Sequence, residues 1–81
     1  MYKIKMYLIK PENTQDLSLI KQIDYSKSLG VSPEYINKIL SGRMKTKLSI
    51  AKGIISMAYN IPVRDNEQMQ NLLDRHFKIA E

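Results

Sequence analysis

Residues 22–43, QIDYSKSLGVSPEYINKILSGR, decide the fold of this chain. Their spacing predicts two short helices that meet at Gly30. Two helices can cross steeply over a short turn only where one residue tolerates a left-handed backbone. Glycine, which lacks a Cβ, does so without steric cost. Val31 then anchors the turn in the core. Ser32 is an N-cap whose hydroxyl accepts from N–H groups of the following turn. Pro33 suits the first helical position, where its missing N–H is harmless and its φ is already helical. Glu34 puts a negative charge at the positive end of the helix dipole. Ile36, Ile39 and Leu40 form one apolar stripe, and Glu34, Asn37, Lys38 and Ser41 lie mostly on the other face. Gly42 is placed to end the helix.

The chain's charge gathers just beyond that helix. Residues 31–53 carry four Lys and one Arg against one Glu, a net +4 in a chain whose total is +5. The cations are Lys38, Arg43, Lys45, Lys47 and Lys52. Two helices around a tight turn, with cations after the second, make a shape that docks on duplex DNA.

The pattern resembles the helix-turn-helix of phage repressor and Cro-like (XRE-type) regulators from about Gln22 to Ala58. Gly30 matches the turn glycine, and Leu29, Val31, Ile36 and Ile39 match the buried positions around it. Ser41-Gly42-Arg43 matches the family's small-polar, glycine, basic ending of the recognition helix. Lys47 to Ile61 looks like the next helix, closed by Asn60-Ile61-Pro62. The sequence also departs from the family. Ser26 replaces an alanine four residues before the turn glycine, and Tyr25 replaces a leucine. Upstream, a strand-like segment and Pro11 stand where the family has a full first helix. The resemblance implies a mainly α, lambda-repressor-like domain of four to five helices, with a short N-terminal strand added.

Outside the match, residues 2–10 alternate, with Ile4, Met6 and Leu8 on one face, and predict a β-strand. A lone strand is not stable. Its expected partner is the same strand of a second subunit, which would make a dimer directly; the alternatives are Ile61–Val63, or a poorly periodic helix over the same residues. Asn13 or Thr14 caps a helix that reaches Ile23 through Leu17 and Ile20. That helix either runs on into the next one or stops where Asp24 caps a helix starting at Tyr25. Leu48, Ala51, Ile54, Ile55 and Ala58 are the buried side of the helix after the basic loop. Asp65 or Asn66 caps a last helix over about 65–79, with Met69, Leu72, Leu73, His76 or Phe77, and Ile79 or Ala80 as its stripe.

The 81 residues make one domain, 1–81, whose core is modest because so short a chain buries only roughly 60–65% of its unfolded surface. There is no cysteine, which excludes disulfides and thiolate metal sites. No apolar run approaches the ~18 residues of a membrane span, and Met1–Lys10 has no signal-peptide pattern. A soluble protein of the cytoplasm, in a bacterial host cell, is expected. Catalytic chemistry has little to work with: His76 is the single histidine, no pair of carboxylates stands out, and no glycine-rich phosphate loop occurs. No catalytic residue, metal or cofactor is expected.

The candidate site is a DNA-binding one. Ser32, Glu34, Tyr35, Asn37 and Lys38 occupy the first turns of the recognition helix, the end that approaches base edges. Glu34 can accept from cytosine, or serve only the helix dipole. Asn37 can bond adenine bidentately, and Lys38 can reach guanine or a phosphate. Tyr35 either touches DNA or packs against the earlier helices. Arg43, Lys45 and Lys47 suit phosphates, which fix position and carry little sequence information. The expected function is a sequence-specific, homodimeric transcriptional regulator of double-stranded DNA, of phage or mobile-element type. The alternatives are a protein-binding module on the same scaffold, such as an anti-CRISPR-like inhibitor of a host defence nuclease, or an antitoxin clamping a partner through Asp65–Glu81.

Overall fold

The computed structural model describes residues 5–11 and 14–80. Among them the chain runs β1 (Met6–Ile9), α1 (Thr14–Leu17), α2 (Gln22–Leu29), α3 (Pro33–Leu40), β2 (Thr46–Lys47), α4 (Leu48–Tyr59), α5 (Glu67–His76) and β3 (Phe77–Ile79). The fold is mainly α, with a small antiparallel sheet in the order β2-β1-β3. None of the described helices is long and apolar enough to cross a membrane.

The turn between α2 and α3 forms as the sequence predicts. Gly30 is left-handed (φ 69°, ψ 31°) and its N–H donates to Ser26 O. Ser26 does more than fit a small space, because its Oγ donates to Val31 O at 2.5 Å and ties the turn back onto α2. Ser32 Oγ accepts from Tyr35 N at 3.1 Å, and Pro33 opens α3. Ile36 and Ile39 are fully buried, each contributing about 1.5–3 kcal/mol of hydrophobic stabilisation. The end of α4 repeats the device: Ser56 Oγ donates to Ile61 O, and Asn60 takes the left-handed conformation (φ 55°).

Two helices differ from expectation at their ends. The helix expected over Asn13–Ile23 is cut to four residues, Thr14–Leu17, and a new helix begins at Gln22. Asp24 is therefore the acidic residue of the first turn of α2, not its cap; Asn13 lies outside the described residues. Tyr25 accounts for the break. It is fully buried, and its hydroxyl donates to Leu17 O at 2.6 Å, satisfying a carbonyl at the end of α1. Burial pushes its phenol up to about 12. Ile23, expected in the stripe, is exposed.

The sheet corrects three expectations. β1 is paired on both edges within its own chain, by β2 and β3, and not by Ile61–Val63. Tyr7 faces Thr46 on one side and Ile79 on the other, and Ile9 faces Phe77. Both edges of β1 are thus used within the chain. The last helix ends at His76 rather than near 79, because Phe77 is extended (φ −130°, ψ 154°) and buried. The face of β1 turned to the core carries Tyr7 and Ile9, not Met6 and Leu8. Tyr2 and Ile4, counted with that strand, lie outside the described residues.

α4 is the element on which the rest assembles, touching α1, α2, α5, β1 and β2. Its Ala51, Ile54 and Ile55 are fully buried. Gly53 lets α2 approach, since a Cβ there would meet the Leu29 side chain. A polar clasp closes the far end. Tyr59 Oη lies 2.5 Å from His76 Nε2 and 3.4 Å from Asp16 Oδ2, and Arg75 Nη2 lies 3.5 Å from Asp16 Oδ2. His76, offered with Phe77 for the stripe of the last helix, is fully enclosed there. Burial, and then the Asp16 carboxylate, push the Tyr59 phenol upward.

Candidate nucleic-acid interface

α3 stands on its buried isoleucines and presents a polar face. Ser32, Glu34, Asn37 and Lys38 are exposed, while Ile36 and Ile39 are sealed beneath them. Both ends of the helix are fixed. At the start the Ser32 hydroxyl caps the first turn. At the finish Gly42 is left-handed (φ 79°), and Arg43 N donates to Lys38 O at 2.9 Å. The chain therefore reverses sharply and carries Arg43 and Lys45, both exposed, just beyond the end of α3. Lys47 is exposed at the junction of β2 and α4, where its extended backbone opens α4 without a side-chain cap.

The surface offers three kinds of chemistry. Asn37 can donate and accept together, Glu34 only accepts, and Lys38, Arg43, Lys45 and Lys47 are cations that donate. No three His, Asp or Glu side chains among the described residues are grouped so as to hold a metal ion.

Tyr35 is partly buried, and the contact its hydroxyl makes is with Thr46 of β2, 3.3 Å from Oγ1. Ser32, Tyr35 and Lys47 are brought together around a concavity of about 450 Å³, which Val31, Ser49 and Ile50 complete. Ser49 and Ile50 belong neither to the expected site nor to the expected buried stripe of α4. A serine in the first turn of α4, directly after the basic loop, was the available signal. Lys52 leaves the basic group, because its ammonium pairs with Asp65. Compared with models of protein families, with characterised proteins and with solved structures, the chain matches none.

Proposed function

We propose that this protein is a sequence-specific DNA-binding regulator in which α2 and α3 act as a helix-turn-helix. α3 would enter the major groove, with Ser32, Glu34, Asn37 and Lys38 toward base edges and Arg43, Lys45 and Lys47 toward phosphates. The observation that carries this reading is the geometry of α3. A capped helix with a buried apolar side and an exposed hydrogen-bonding side is followed at once by a turned-back cationic loop. Repression by occupying a promoter, in a bacterial cell and in a phage or mobile-element setting, is the role that the resemblance to Cro-like regulators favours. A homodimer would place two copies of α3 on half-sites about 34 Å apart. β1 does not supply that contact, since its own chain covers both its edges. The antitoxin reading needs an exposed apolar face over Asp65–Glu81; α5 exposes polar side chains, and Ile79 of β3 is the large apolar side chain exposed among the described residues of that span.

Selection of bound duplexes from a random library, followed by a salt titration of the winner, tests the proposal. The expected result is a two-fold-symmetric consensus held far more tightly than random DNA. Lys38→Ala should relax one position of that consensus by about 1–3 kcal/mol of discrimination. Recovery of no consensus, with binding lost by ~200 mM salt, would reduce the surface to non-specific basic attraction.

A further inference from the structure

We propose that the trough on the α1–α2 side of α3 is a docking site for an amphipathic, acidic segment of another protein. The trough exists because α1 is short. Its last residue is Leu17, and the turn that follows leaves Leu19 80% exposed and Ile23 44% exposed. Ile20, Lys21, Ile23 and Leu40 line a concavity of about 380 Å³ there. Leu40 is also a wall of a second concavity of about 420 Å³, with Leu8, Pro11 and Lys78. The two therefore adjoin at the last residue of α3. Apolar side chains lining adjoining concavities offer anchor points to a partner.

Charge selects the occupant. Among the described residues, Lys21 and Lys78 are the ionisable side chains that line the two concavities. Asp or Glu residues flanking apolar anchors would complement them. Among the described lining residues, a second copy docked across a two-fold axis would set lysine against lysine around the apolar floor. Phosphates of DNA would match the lysines but gain nothing from Ile20, Ile23, Leu8 and Leu40. A helix with leucine-like anchors at i, i+3 or i+4 and i+7 satisfies both the floor and the rim. This inference stands apart from the duplex reading of α3.

Peptides selected from a phage-displayed random library against the 81-residue chain, then synthesised and titrated by fluorescence anisotropy, test it. The comparison proteins are K21E/K78E and Ile23→Ser, all at exposed positions, with circular dichroism confirming that each folds. The expected peptides carry two or more Leu, Ile or Phe at helical spacing and a net negative charge. They should bind both variants at least ten-fold more weakly, and exchanging their Glu for Lys should restore binding to K21E/K78E. The proposal is overturned if no sequence is enriched, or if the enriched peptides bind the variants like the parent. It is also overturned if Ile23→Ser instead abolishes self-association of the chain, or if K21E/K78E weakens duplex binding and leaves the peptides unaffected.

Discussion

Two helix ends in this molecule are built by opposite means. α2 stops because of residues within reach of it in sequence: Gly30 turns left-handed, and Ser26 ties Val31 back by hydroxyl and carbonyl. α5 stops because of a strand at the other end of the chain. Phe77 leaves the helix to lie beside Ile9, Lys10 N donates to His76 O at 2.7 Å, and Ile79 lies opposite Tyr7. The first end is encoded locally and the second by tertiary pairing. The surface of α3 inherits the precision of the first, whereas the body beneath it depends on the second.

The comparison is broken most severely at Phe77. Its replacement by Ala should cost about 3–5 kcal/mol, a large part of what a domain of this size has, read as a lowered urea midpoint. A loss below about 1 kcal/mol would show that the helices hold without the sheet, and that the contrast between the two ends is empty.

Tyr25 joins the local end to the break before it, and Tyr25→Phe should cost about 1–2 kcal/mol at neutral pH by leaving the buried Leu17 carbonyl unpaired. Its pH dependence has a definite sign. The folded phenol titrates at about 12 against an ordinary value of 10.0. The neutral form is thus favoured by folding, and its contribution is intact below pH 10. It is lost as the pH rises from 10 to 12, so the stability advantage of the parent over Tyr25→Phe should narrow across that window. An advantage unchanged between pH 9 and 12 would mean that the phenol is not enclosed.

Gly30→Ala isolates the backbone at the local end. Nothing lies within 4 Å of the Cβ it would add, so the cost is the left-handed conformation alone, about 1 kcal/mol. A thermal melt that does not move would show that the turn owes nothing to glycine. The smallest effect on stability is expected at Arg43→Ala, within about 0.5 kcal/mol. Its readout is binding: all duplexes should weaken alike, with the salt slope reduced by about one unit. A change confined to one base position would instead make Arg43 a reader of sequence.

What the sequence made legible follows the same division. The Ser32 cap, the Gly30 turn, the buried pair Ile36 and Ile39, and the Asn66 cap (whose side chain accepts from Met69 N at 2.9 Å) are all short-range. Each could be read from a few neighbouring residues. The third strand could not, because Ile79 lies three residues after His76 and so continues the helical stripe as readily as it fits a strand. The face of β1 was ambiguous for a similar reason, as Met6, Leu8 and Ile9 put apolar side chains on both phases of the alternation. At the candidate interface the exposed polar residues of α3 were legible from helical spacing. The withdrawal of Lys52 to Asp65, the lean of Tyr35 toward Thr46, and the nearness of Ser49 to Ser32 needed the three-dimensional arrangement.

The sheet also has a consequence for connectivity. Ala80 N donates to Met6 O at 2.8 Å, so the two ends of the described chain lie side by side. The described chain is close to a ring cut at one place. A circular permutant joined by a short linker from 80 to 5 and reopened at the exposed Val63–Arg64 would keep every strand neighbour. In such a chain α5 and β3 would be synthesised first, and β1 would meet its partner already made. The cut sets the order in which the elements become available, and the architecture is indifferent to it.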